Sequence, residues 1–346
     1  MKNHITYLIV VFYVIFFVTS NVYAQTSNDL DIGGGMIDGT ISVSLTPTNP
    51  RPNENVSIKL TSYNTNLDQA EISWSVDGVE QKKAFGEKEF GLVAPSLGDS
   101  VFVQANIQTI EGNLAQKTIN IQPAGVDLLW QAESYSPPFY KGKVLWPIQG
   151  NIKVVAIPQF VTPDKNIINS ENLIYKWKKN GLVIGDISGF GKNTLSLTGS
   201  IISRPLNISV EVTTLNNDMV AENGVTLYSS DTKLLLYENN PRYGVLYNKI
   251  ISSDFVLKNP EVSLVAEPYF FAGNTKDFIS FVWSINGNKI TDNKNTNVET
   301  FRQEDDTKGI AQILITASHS VKTFESSQVS TKLYFGENNS NTINPF

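Results

Sequence analysis

Few residues of this chain belong to types that do bond-making chemistry. It has two histidines and no cysteine. His4 lies inside a segment read below as a removable signal, which leaves His319 as the imidazole available to a catalyst. A Cys–His dyad and a zinc site of His and Cys ligands within one chain are therefore ruled out. A Ser-His-Asp triad would have to use His319, which ends the alternating stretch ILITASHSV. A lone histidine at a strand end reads as surface or half-buried structure. Carboxylates gather as Glu304-Asp305-Asp306 and as Asp29 and Asp31. Calcium takes roughly six to eight oxygens from a folded loop. Neither group has the spaced Asp-x-Asp-x-Asp-Gly pattern, so both read as solvated charge, and no segment favours the paired carboxylates of a glycosidase. The expectation is no catalytic residue, no metal and no cofactor.

Aromatic residues are the second chemical resource. WSVDG at 74–78 returns as WKKNG at 177–181 and WSING at 283–287. The motif is either a ligand loop offered three times or a packing mark that each unit needs for itself. In an extended segment alternate side chains share a face. Ile72, Trp74 and Val76 therefore fall together, as do Tyr175 with Trp177, and Phe281, Trp283 and Ile285. Asp77-Gly78, Asn180-Gly181 and Asn286-Gly287 carry the hairpin signal, because a type I′ turn needs positive φ at both central residues. Trp74, Trp177 and Trp283 are accordingly expected at the centres of cores, each buried indole contributing a few kcal/mol. A sugar platform would need the rings on the outer face.

Two segments depart from this pattern: YSPPFYKGKVLW at 135–146 and YENNPRYGVLYNKI at 237–250. Both place Pro, Tyr and Gly close together before an apolar pair, whereas the matching TPTNPRPNENVSI lacks aromatics. Tyr135, Phe139, Tyr140, Trp146, Tyr237, Tyr243 and Tyr247 are candidates for an interface or a binding surface. The structural reading has them plug the groove between consecutive sandwiches. The functional reading is an exposed recognition stripe, where Tyr and Trp are favoured.

The elements that hold these residues are strands. ISVSL, NVSIKL, VFVQANIQ, TINIQ, NIKVVAI, LNISVEV, GVTLY, VSLVA and ILITA alternate with period two and are separated by Pro, Gly, Asn and Asp. No segment sustains a helical period, so the chain reads as all-β. The tryptophans stand 103 and 106 residues apart, and other features keep step with them. Strands centre near Ile58, Val154 and Val262 before each tryptophan, and near Val103, Ile208 and Ile313 after it. Final strands centre near Ile119, Val225 and Val329. This predicts three tandem sandwich-sized units, 40–124, 125–231 and 232–336, with short joins.

Ahead of them, Met1–His4 and the apolar run Ile5–Val18 precede a plausible cut at Ala24/Gln25. That is the grammar of a Sec-type secretory signal peptide, 1–24. The run is shorter than the roughly 20 residues of a membrane span, although an uncleaved N-terminal anchor is the alternative. Residues 25–39, with Gly33–Gly35, read as a flexible leader, and 337–346 as a disordered Asn-rich tail. Export without cysteine means that cores, not disulfides, supply stability. A net charge of −6 and a pI near 5.1 argue against nucleic acid or an anionic membrane as partner. Membrane contact is expected only through the signal if it stays uncleaved.

Tyr175 through Ile184, YKWKKNGLVI, resembles the strand-C segment of immunoglobulin-like domains, where a buried tryptophan precedes a charged residue and an Asn/Asp-Gly turn. The other two copies are similar, and also resemble bacterial PKD-like modules. The inter-sheet cysteines, the Asp-x-Gly-x-Tyr-x-Cys segment and the PKD Trp-x-Phe-Gly-Asp-Gly motif are absent, so no functional residue is carried over. The layout is similar to exported bacterial tandem Ig-like proteins. By analogy of fold this implies a non-enzymatic rod at the cell surface or outside the cell, for adhesion, binding or spacing, in a pilus or envelope setting. Its partner would be a protein or a glycan. The rival reading is a carbohydrate-binding or glycan-active accessory protein that uses the Tyr/Pro-rich segments.

Overall fold

A computed structural model describes residues 40–202, 204–252, 254–257, 259–291, 295–304 and 308–336. The signal segment, the leader with Asp29 and Asp31, Asp305, Asp306 and the tail lie outside the described residues.

The described residues form strands and two short 3₁₀ turns, with no α-helix. The first repeat contains β1 (Ile41–Thr46), β2 (Asn55–Ser62), β3 (Glu71–Val76), β4 (Val79–Phe85), β5 (Glu89–Val93), β6 (Val101–Gln108) and β7 (Leu114–Ile121). They make one sheet of order β1-β2-β5 and another of order β4-β3-β6-β7. The second repeat contains β8 (Gly125–Tyr135), β9 (Asn151–Gln159), β10 (Ile174–Lys179), β11 (Leu182–Val183), β12 (Gly189–Phe190), β13 (Thr194–Thr198), β14 (Leu206–Thr213) and β15 (Val220–Leu227). The third contains β16 (Lys233–Asn240), β17 (Gly244–Val245), β18 (Asp254–Val256), β19 (Glu261–Tyr269), β20 (Phe271–Ala272), β21 (Ile279–Ile285), β22 (Asn288–Lys289), β23 (Val298–Arg302), β24 (Gly309–His319) and β25 (Ser326–Phe335).

The second repeat builds β11-β10-β14-β15, with β12 on β10, and a facing sheet β13-β9-β8. The third builds β17-β16-β19-β23 and β18-β25-β24-β21-β22. The strand pairings of the second and third repeats are antiparallel except β18 with β25, which is parallel. Alternation in sequence becomes alternation in burial. In β6 Val101, Val103, Ala105 and Ile107 are buried while Phe102 is exposed, because successive side chains leave opposite faces of a pleated strand. The second core gathers around Trp177 with Tyr175, Phe160, Leu195 and Val210. The third gathers around Trp283 with Leu236, Leu264, Ile313 and Ile315.

The contacts within the chain gather it into two compact units. The smaller comprises 40–43, 59–90 and 102–120; the larger comprises 44–58, 91–101 and 121 onward, with all of the second and third repeats. The physical reason lies in the larger unit. β20 of the third repeat extends the β13-β9-β8 sheet of the second by pairing with β8, Phe271 opposite Tyr135 and Ala272 opposite Ser134.

Candidate functional site

The three tryptophans share one geometry. Trp74, Trp177 and Trp283 are at most 1 % exposed. Each indole N–H donates to a backbone carbonyl further along the chain: to Glu87 O at 2.8 Å, Lys192 O at 2.8 Å and Thr296 O at 3.0 Å. The polar edge of each ring is thereby satisfied inside protein, which leaves it nothing to offer a ligand. Trp74 also stacks on Phe90, with centroids 5.3 Å apart.

The turn after each tryptophan is likewise built alike. φ is positive at both central residues of Asp77-Gly78 (48° and 81°), Asn180-Gly181 (51° and 83°) and Asn286-Gly287 (51° and 83°). The Asx residue also brackets the neighbouring strand. Asp77 N–H donates to Phe102 O, and Phe102 N–H donates back to Asp77 Oδ1. Asn180 does the same with Asn207, and Asn286 with Gln312, all at 2.8–3.0 Å. Periodicity could not find this exchange, although the repeated Asx at one offset was its signal.

The aromatic segments converge on the junction between the second and third repeats. Tyr135 is 9 % exposed and donates its hydroxyl to Glu267 Oε1 at 2.8 Å. Glu267 is 2 % exposed and pairs with Lys276 Nζ at 2.7 Å. Burial, and then the Glu267 carboxylate, push the Tyr135 hydroxyl well above the ordinary phenol range. The buried hydroxyls of Tyr237 and Tyr269 are bonded to each other at 2.9 Å. Tyr140 meets Tyr269 and Phe270 edge-on, and Phe139 lies 3.7 Å from Tyr247 between ring centroids. Tyr243 is exposed.

Strand length and local packing decide two of these placements. Tyr135, in the segment opening the second repeat, lies against the third, because β8 runs eleven residues, roughly 36 Å at about 3.3 Å each. Trp146 belongs to the second repeat's own core, with its Nε1 donating to Gly150 O at 3.0 Å.

Sequence reading missed two buried acids, because a lone Glu beside a strand carries no pattern. Glu267 is one. Glu325, also 2 % exposed, accepts the Ala272 N–H on Oε2 at 2.7 Å, while its Oε1 has no hydrogen-bond partner among the described residues. It thereby fixes the strand that pairs with β8. Burial raises its carboxyl above the ordinary range. His319 stands beside it at the end of β24. Its Nδ1 accepts from the N–H groups of Val321 and Lys322, both at 3.1 Å, so Nε2 carries the proton and donates to Ala272 O at 3.2 Å. Burial lowers its pKa. Both ring nitrogens are occupied, and the imidazole holds a turn together. Among the described residues no group of three or more His, Asp or Glu side chains is placed to hold a metal ion, and no helix is long and apolar enough to cross a membrane.

No family model and no curated protein matches the chain. Solved structures do. The three N-terminal domains of the highly immunogenic outer capsid protein of bacteriophage RB49 align over 85% of this chain and 97% of theirs, at 9% identity and TM-score 0.25. The central fibronectin-III array of RIM-binding protein aligns over 84% and 94%, at 11% identity and TM-score 0.29. The fibronectin(III)-like modules of Clostridium thermocellum CbhA align over 55% and 94%, at 10% identity and TM-score 0.28. At these TM-scores the likeness carries no argument; the sheets themselves make the described residues an all-β array of tandem sandwiches.

Proposed function

We propose that this is an exported, non-enzymatic protein of the cell surface or extracellular space, whose Ig-like repeats serve adhesion, binding or spacing, in a pilus or envelope setting. The observation that supports this reading best is the junction of the second and third repeats. There Tyr135, Glu267, Lys276, Tyr237 and Tyr269 are committed to one another, and β8 pairs with β20. A chain that spaces or presents a surface benefits from such a fixed join, because two repeats act as one body. His319, the imidazole expected to remain after export, is engaged at both nitrogens. The rival sugar site built from the Tyr/Pro-rich segments has Tyr135, Trp146 and Tyr237 buried.

Antibody staining and external protease treatment of intact cells test the location. Labelling without permeabilisation is expected, and retention inside the cell overturns the reading. Attachment of cells with and without the chain to host proteins, glycans and sister cells tests the role.

A further inference from the structure

The strand that joins the second and third repeats, β20, is two residues long. Beside it Phe270 N–H donates to Tyr135 O at 2.7 Å and Gly273 N–H donates to Glu133 O at 3.2 Å, both on β8. Strands usually run about three to ten residues, so this pairing has little hold of its own. The turn between β24 and β25 supplies the rest. Ala272 N–H donates to Glu325 Oε2 at 2.7 Å, and Ala272 O accepts from His319 Nε2 at 3.2 Å. Both backbone polar groups of the buried Ala272 therefore depend on side chains that gain and lose protons.

His319 can play its part in one protonation state only. Its Nδ1 accepts from the N–H groups of Val321 and Lys322, both at 3.1 Å, so the ring is neutral with its proton on Nε2. A second proton would turn Nδ1 into a donor facing two donors. The half-buried ring would have to leave the turn, and its bond to Ala272 O would go with it. A buried carbonyl deprived of its donor is costly, so the segment shifts off β8 toward water. Glu325 behaves differently. A neutral carboxyl still accepts Ala272 N–H, so acid leaves that bond in place.

The surroundings offer an added proton no partner. Among the described residues the ring's hydrogen bonds all go to backbone groups. Its own turn brings Lys322, whose ammonium repels a charged ring, and Glu325, committed to Ala272. The segment before β21 brings Lys276, paired with Glu267 of β19 at 2.7 Å, and Asp277, exposed next to the Phe278 that stacks on His319. β8 brings Glu133, whose carboxylate accepts from Asn151 Nδ2 at 3.1 Å. β21 and the rest of β24 carry no charged residue. Burial, opposed by the Ala272 bond and aided by Lys322, holds the ring's pKa below the ordinary 6.5.

We propose that His319 is an acid-operated latch on the junction of the second and third repeats. A proton on Nδ1 drives the ring from its turn, frees Ala272 O and weakens the hold of β20 on β8. Tyr135 and Glu267 stay bonded to each other, so the join loosens and does not part. The latch does not rest on the surface role proposed above, and each can fail while the other holds.

Hydrogen exchange on the full chain, followed by NMR with each amide corrected for its intrinsic rate, tests it. Protection of the Phe270 and Gly273 amides is expected to fall by up to about tenfold per pH unit between pH 6.5 and the folded pKa, then level off. The fall should track the titration of the His319 ring protons. The Ala156 amide, bonded to Asn193 O within the second repeat, should keep its protection. His319→Gln retains an acceptor and a donor without the titration and is expected to flatten the response, whereas Glu325→Gln is expected to preserve it. Constant protection in the wild type overturns the proposal. So does a fall that departs from the His319 titration, that Ala156 shares, or that survives in folded His319→Gln. Should His319→Gln not fold, the match between exchange and ring titration in the wild type decides.

Discussion

An indole in the middle of a strand must find room for its apolar rings and a partner for its N–H. Trp177 has both, with 0 % exposure and a 2.8 Å bond to Lys192 O. Trp177→Ala is expected to cost about 3–5 kcal/mol through the cavity it leaves. Trp177→Phe, which keeps most of the volume but orphans the carbonyl, should cost less. Urea unfolding followed by circular dichroism separates the two. Glu325 obeys a different logic. Burial raises its folded pKa above the ordinary 4.5, so its stabilising contribution is fully present below 4.5 and is lost as pH rises through the folded value. Glu325→Gln keeps an acceptor for Ala272 N–H and removes the charge. Its melting temperature relative to wild type is expected to climb between pH 4.5 and pH 7. A constant difference across that window would refute the assignment. His319 has the opposite sign. Its folded pKa lies below 6.5, so its contribution is present above 6.5 and is lost as pH falls through the folded value.

Hairpins are decided at the scale of the element. The Asn180-Gly181 turn needs positive φ twice, and an added Cβ at Gly181 would meet nothing within 4 Å. Gly181→Ala therefore isolates backbone strain from crowding, and a loss of about 1–2 kcal/mol is expected. Asn180→Ala adds the loss of the bond that Asn180 Oδ1 accepts from Asn207 N–H, and should cost more than a turn substitution without that partner. Chemical denaturation of the two variants checks the order. The sequence made the turns legible because Asp-Gly and Asn-Gly have few other uses between alternating strands. It did not reveal the reciprocal bonding, since the partners Phe102, Asn207 and Gln312 have no side-chain type in common.

At the scale of the whole molecule the consequential contact is the one at the junction of the second and third repeats. Glu267→Ala leaves the buried Tyr135 hydroxyl without its acceptor, while the Lys276 side chain, 36 % exposed, keeps its ammonium in water. A loss of about 1–3 kcal/mol is expected. Tyr135→Phe leaves Lys276 and Glu267 paired, and about 1 kcal/mol is expected. Scanning calorimetry should show the second and third repeats melting in one transition in the wild type and in two after Glu267→Ala. Two transitions in the wild type would mean that the junction does not couple them.

Strand positions, the threefold period, the inward tryptophans and the turns were legible in the sequence because each depends on spacing along one stretch of chain. Alternation fixes a face, and an Asx-Gly pair fixes a reversal. The partner of β8 and the burial of Glu267 and Glu325 were decided by tertiary structure alone. Each of these joins residues far apart in sequence, Tyr135 to Glu267 across 132 positions and Ala272 to Glu325 across 53, and local periodicity carries no term for such a distance. The aromatic segments show the boundary between the two. Their composition marked them as unusual, but only the reach of an eleven-residue strand determined which repeat they would meet.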